Sequence, residues 1–218
     1  GEGIYMENLD YSALYRIQDR VLKIVAEVDT NFYLTGGTCL NRFILEKRYS
    51  ADLDLFSNEN NLFREDVRTL LDALKANRCQ YEVLVDTRDF VRLIVQSMLK
   101  VDLVNDRVYR FGRSVRTPEG LVLDNTRNIA ANKICAVLGR DEPKDVFDLY
   151  TLFCHAGLDW GSVLSASRKK CAFEREVLEY RLNSFPVRLV DLLPVLSQSF
   201  VTDFKRGYDG MIAAFCAA

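Results

Sequence analysis

The chain's 218 residues give room for one large domain or two small ones, and 49% hydrophobic with 28% charged residues is the make-up of a soluble globular protein. A net charge of −2 excludes a global electrostatic pull toward nucleic acid, so any such binding needs a local patch. No run approaches the roughly 18–20 apolar residues a spanning helix needs, and the start does not resemble a signal peptide. The six cysteines are far apart, have apolar neighbours and include no C-x-x-C pair, which predicts reduced, mostly buried thiols in a cytoplasmic protein with no membrane attachment.

Residues 8–29 place Leu14, Ile17, Val21, Ile24, Val25 and Val28 at helical spacing, which predicts an amphipathic helix covering a sheet. A strand over Asn31–Thr35 then meets Gly36-Gly37, followed by a helix over about Thr38–Lys47. Paired glycines let backbone amides approach a phosphate closely, and a following helix start adds partial positive charge. The next strand, Asp52–Ser57, carries Asp52 and Asp54 two positions apart and so on one face. Adjacent carboxylates repel unless a cation lies between them, and oxygen-only ligands favour Mg²⁺ or Mn²⁺.

The polar run SNENN predicts a loop, Leu62 to Ala76 a helix, and Tyr81–Val85, Val91–Ser97 and Leu99–Asn105 a β-meander whose third strand holds Asp102. Arg107, Arg110, Arg113 and Arg116 recur at three-residue intervals with Tyr109 and Phe111 between them. That is either a solvated loop or a surface for a nucleic-acid strand. Helical periods then dominate, over about 125–139, 143–156, 162–183, 186–197 and 199–215. The chain therefore divides near residue 121 into an α/β part (1–121) and a helical part (122–218). His155 is the only histidine, which argues against histidine-based hydrolysis and against a zinc site.

The ordered blocks TGGTCLNRF, KRYSADLDLF and, later, NIAANKICAVLGRDEPKDVFDLY resemble the AbiEii/AbiGii-type nucleotidyltransferase toxins, which include the MenT toxins, within the polymerase-β-like superfamily. The resemblance implies an α+β fold, with a polymerase-β-like core (a mixed sheet flanked by helices) followed by a helical C-terminal half. It implies transfer of a nucleoside monophosphate from an NTP to RNA, with the tRNA 3′ end as acceptor, by a toxin that has a cognate antitoxin. On it, Gly36, Gly37, Thr38, Arg48 and Ser50 hold the nucleotide, and Asp52, Asp54 and Asp102 bind Mg²⁺ or Mn²⁺. Lys133, in A-x-x-K, serves the phosphates and also counts as catalytic, as does Asp148, the last motif aspartate. On the residues alone, snorkelling to solvent from its apolar helix is the favoured reading of Lys133. Two other readings keep the same chain: nucleotidylation of a protein or small molecule such as an antibiotic, and a non-catalytic interaction protein.

Overall fold

The computed structural model describes residues 9–59 and 61–217, so expectations about positions 1–8 and Asn60 fall outside the described residues. Helix α1 (Tyr11–Glu27) begins where the Asp10 carboxylate accepts from the Ala13 amide at 3.0 Å, and its buried stripe is Leu14, Val21, Leu22, Ile24 and Val25. Strand β1 (Tyr33–Thr35) leads into a short helix α2 (Gly36–Cys39), which continues as a π-helical turn over Leu40–Ile44. Helix formation thus starts at the glycine pair itself, earlier than expected. It stops before Lys47 because Glu46 takes a left-handed conformation (φ 51°).

Strand β2 (Leu53–Ser57), helix α3 (Phe63–Ala76) and strands β3 (Tyr81–Asp86), β4 (Phe90–Val95) and β5 (Leu99–Asn105) follow, the last three as the expected antiparallel meander. The expected strand to Ser97 ends at Val95, because Gln96 and Ser97 (φ 52° and 55°) turn the chain into β5. A short hairpin, β6 (Val115–Arg116) and β7 (Val122–Leu123), completes a seven-stranded mixed sheet of order β3-β4-β5-β2-β1-β7-β6. The pairs β2–β5 and β1–β7 are parallel, and the others antiparallel. Leu53, Leu55, Val101 and Leu103 face the core beside α1 and α3, which leaves Asp54 and Asp102 on the opposite face.

The rest of the chain is helical: α4 (Thr126–Gly139), α5 (Pro143–His155), α6 (Trp160–Lys170), α7 (Arg175–Asn183) and α8 (Gln198–Ala217), with α4 reaching the side of the sheet that carries the aspartates. Asn125 caps α4 and Pro143 opens α5, as their residue types favour. The expected helix over 162–183 is two helices, since Cys171 and Glu174 adopt extended backbone between them. The expected helix over 186–197 shrinks to a 3₁₀ turn, Val187–Leu192, and beyond it Val195 bridges to Arg48. α5 is buried on nearly every side from Asp145 to Leu152, so it is the central post of the helical part.

The cysteines correct an expectation. Cys135 on α4 and Cys171 at the end of α6 form a disulfide (Cα–Cα 6.1 Å), and Cys154 is exposed; Cys39 and Cys79 are free and buried as expected. Among the described residues no helix is long and apolar enough to cross a membrane.

Candidate active site

The sheet face that carries the aspartates opens into a cleft of about 830 Å³ between β1, β2, β5 and α4. Asp54 pairs in register with Thr35 on one side and Asp102 on the other, so the two parallel strands put two carboxylates side by side. Asp52, just before β2, joins them on the cleft wall. The Asp54 carboxylate has no hydrogen-bond or ion-pair partner among the described residues. Burial, then the like charges of Asp52 and Asp102, push it up to about 6, against the opposing pull of Lys133 and Lys100.

The flanking acids are neutralised by residues that the sequence did not single out. Asp52 pairs with Lys100 Nζ at 2.8 Å and lies 4.0 Å from Lys144 Nζ, while Asp102 takes both arms of Arg92 at 2.7 and 2.8 Å. Strand register was the signal available: parallel pairing of β2 with β5 puts Lys100 opposite Asp52, and β4 puts Arg92 opposite Asp102. Among the described residues no three acidic, histidine or cysteine side chains draw together tightly enough to enclose a metal ion. The donor chemistry nevertheless fits one. A half-buried, unpartnered carboxylate with two more beside it is an all-oxygen donor set of the kind that suits a hard divalent cation.

Gly36 makes the close approach possible. Its φ is +69°, and a Cβ there would stand 2.3 Å from Asp54 Oδ2, so both backbone and space require glycine. Gly36→Ala is expected to cost roughly 1–3 kcal/mol by urea unfolding and to suppress transfer together with it. At Gly37 a Cβ would meet Arg48 Nη2 at 2.6 Å. Thr38 departs from its expected part: it is buried, and its hydroxyl donates to the Asp52 carbonyl and meets Ser50 Oγ at 2.9 Å, pinning the turn to β2. Buried Gln18 of α1 holds the same loop, donating to the carbonyls of Ser50 and Ala51 at 2.9 and 3.0 Å.

Across the cleft lies a buried ionic lock. Asp148, fully buried, accepts from Arg48 Nε and Nη2 (2.7 and 2.6 Å), Lys133 Nζ (2.6 Å) and Asn41 Nδ2 (3.0 Å). Burial alone would raise its carboxyl, but Arg48 and Lys133 outweigh this and hold it at about 2. Lys133 also bonds Asp145 at 2.8 Å, and Asp145 in turn takes Arg140 Nε at 2.6 Å. Burial would lower the Lys133 ammonium, yet Asp148 and Asp145 raise it, so the lysine stays charged instead of snorkelling out. Arg48 is held above the usual arginine range by Asp148 in spite of burial.

The structure therefore gathers Gly36, Gly37, Arg48, Ser50, Asp52, Asp54, Asp102 and Lys133 on the cleft lining, with Asp145, Lys100, Lys144, Arg92 and Arg140 beside them. Thr38 and Asp148 are not on that lining but brace it from below. Arg42, near in sequence, turns away to Gln18 and Asp19.

A protein from H. pylori assigned as a nucleotidyltransferase shares this fold at TM-score 0.54 and 21% identity, over 85% of this chain and 82% of that one. JHP933 from Helicobacter pylori matches at TM-score 0.54 and 21% identity, over 84% of this chain and 78% of that one. No curated protein matches the chain. The model of one family, the nucleotidyl transferase AbiEii toxins of type IV toxin–antitoxin systems, matches residues 20–215. A seven-stranded mixed sheet, a glycine turn against Asp54 and a match over nearly the whole chain agree: the chain belongs to the AbiEii nucleotidyltransferase toxin family.

Proposed function

We propose that this toxin transfers a nucleoside monophosphate from an NTP to RNA, at a tRNA 3′ end, in the cytoplasm, and that a cognate antitoxin counters it. The observation that carries the reading is the unpartnered Asp54 carboxylate seated against Gly36, with Asp52 and Asp102 on one side and charged Lys133 across the cleft. The acceptor hydroxyl oxygen forms a bond to the α-phosphorus, the bond from that phosphorus to the α–β bridging oxygen breaks, pyrophosphate leaves with that oxygen, and the hydroxyl's proton passes to solvent water in the open cleft. Positioning and charge neutralisation supply most of the acceleration in such transfers.

Each residue's part follows from where it stands. Backbone amides at Gly36 and Gly37 approach the triphosphate without a side chain in the way, while Ser50 shapes the same wall. Asp54, Asp52 and Asp102 would hold Mg²⁺ or Mn²⁺, which when bound supplies positive charge to the phosphates and acidifies the attacking hydroxyl. Lys133 presents a fixed ammonium to the leaving pyrophosphate, with Lys100, Lys144 and Arg140 adding charge nearby. Arg48 and Asp148 act by holding Lys133 and the glycine turn in place, since the four donors on Asp148 leave it no role as a base. In this division of labour residues 1–121 carry the acids and the turn, and 122–218 carry the lysine and its support.

Lys133→Ala is expected to lower kcat/KM for the NTP by roughly 10²-fold, and to lower stability as well, because Asp145 and Asp148 lose a buried counter-charge. Wild-type kinetics in that variant would return Lys133 to a packing role. The reading as a whole is tested by incubating the protein with Mg²⁺ and each labelled NTP, alongside total RNA, total protein or no acceptor. Label on RNA is the expected result. Label on protein or on small molecules overturns the acceptor assignment, and no label with any of them overturns the proposed transfer.

A further inference from the structure

The segment between β5 and β6, with its recurring arginines, is not used by the cleft. Three of the four guanidiniums are engaged within the fold. Arg107 pairs with Asp89 at 2.7 Å, Arg110 lies 3.8 Å from Asp124 and over the Tyr33 ring, and Arg116 donates to the Gly120 carbonyl at 2.8 Å. Between this segment and α6 the structure instead opens a groove of about 490 Å³. Tyr109 and Phe111 stand in it with near-parallel rings, 6.5 Å apart at 26°, and Tyr109 is 41% exposed. Lys169 reaches over the Tyr109 ring at 4.8 Å, and the Ser162 and Ser165 side chains form the opposite wall. Arg113, Arg127 and Arg168 are exposed. The single carboxylate on the lining, Asp159, already accepts from the Ser162 hydroxyl and feels the charge of Arg127.

We propose that this groove docks a single-stranded nucleic acid, the acceptor strand of the transfer reaction. This rests on the RNA reading above. The exposed Tyr109 ring, backed by the half-buried Phe111 ring, takes a base by stacking whatever its sequence, and a lysine beside it takes the adjoining phosphate. On the lining Lys169 is the one cation, and the one carboxylate, Asp159, is engaged by Ser162 and offset by nearby Arg127, which leaves Lys169 to meet a phosphate. The rings are also held firmly. The Phe111 amide donates to Asn128 Oδ1 at 3.0 Å, and Asn125 Nδ2 donates to the Phe111 carbonyl at 2.9 Å, which fixes the segment on the first turn of α4. The following residues of α4, Ile129, Asn132 and Lys133, line the catalytic cleft. On the sheet side, Arg110 covers Tyr33, and Tyr33 packs against Phe56 of the cleft wall at 6.3 Å. Helix α4 thus joins the two places, its first turn holding the ring segment and its later residues lining the cleft.

Fluorescence anisotropy with a short unstructured oligonucleotide, as RNA and as DNA of the same sequence, tests the assignment on the full chain. Tyr109→Ala and Lys169→Glu should each weaken strand binding about ten- to a hundredfold, and Lys169→Glu should also flatten its salt dependence. Both substitutions lie on the surface, so melting temperature and calorimetric NTP affinity should match wild type. Binding of either RNA or DNA through these residues supports the groove. Failure of wild type to bind both strands, or wild-type affinity in both variants, overturns it. Labelled-NTP transfer separates this from the acceptor assignment. If RNA is labelled while both variants bind normally, the groove alone falls. If strands bind through Tyr109 and Lys169 but label goes elsewhere, the acceptor assignment alone falls.

Discussion

Replacing Asp54 with asparagine is expected to lower nucleotide transfer by on the order of 10³-fold and, at the same time, to stabilise the metal-free fold at neutral pH. The second half of this expectation comes from the environment of the carboxylate. Its folded-state value of about 6 lies above the ordinary 3.8, because burial and the charges of Asp52 and Asp102 disfavour ionisation. The sign follows by linkage. A proton on Asp54 is held more tightly in the folded chain, so the stability it brings is full below about pH 3.8 and is lost as the pH rises through about 6. Above that, ionised Asp54 costs about 3 kcal/mol, which a neutral isostere does not incur. Urea unfolding in EDTA at pH 8 should therefore show Asp54→Asn more stable than wild type by about that amount, with the gap closing by pH 4. Equal stabilities at pH 8 would mean that no charge repulsion is stored at this position. Unimpaired transfer would remove Asp54 from the chemistry.

Asp148→Ala is expected to be among the most damaging single changes to stability, costing roughly 3–5 kcal/mol. It strips Arg48 of its carboxylate and Lys133 of one of two, and leaves a guanidinium buried without a counter-charge. Here the linkage runs the other way. The carboxyl is held at about 2, below its ordinary 3.8, so its stabilisation is present above pH 3.8 and fades as the pH falls toward 2. Removing both ends of the pair, in Arg48→Met with Asp148→Leu, should restore much of the loss, because the uncompensated charge goes with its partner. Denaturation midpoints for the two single variants and the double decide it. If Asp148→Ala unfolds within 1 kcal/mol of wild type, the lock is not what braces the cleft.

The acid strand, the glycine turn and the meander were legible because each is written in a short local pattern. Alternation put Asp52 and Asp54 on one face, and β-branched runs separated by turns announced β3 to β5. What the sequence hid was mostly non-local or mimicked something regular. Cys135 and Cys171 are 36 residues apart in unrelated motifs, and only the packing of α4 on α6 joins them. The break at Cys171–Glu174 contains no glycine or proline, so helical spacing runs through it unmarked. Thr38 was read as a phosphate ligand because a hydroxyl beside two glycines suits that role, and its burial against Asp52 is set by β2, a separate element. Lys100 and Arg92 needed the strand register before their facing acids could be known. The arginine run is mostly engaged within the fold, and the spacing of its arginines gave no sign that the rings beside them and a lysine from α6 line a groove.

The bond between Arg48 and Asp148 spans 100 residues of chain, and the parallel neighbours Asp54 and Asp102 are brought together only after the whole meander is made. During synthesis, then, a growing polypeptide has the acids long before it has the helix that secures the lysine opposite them. A chain cut short before α5 therefore has the acids and Lys133 but neither Asp145 nor Asp148, the carboxylates that hold the lysine and Arg48 in place.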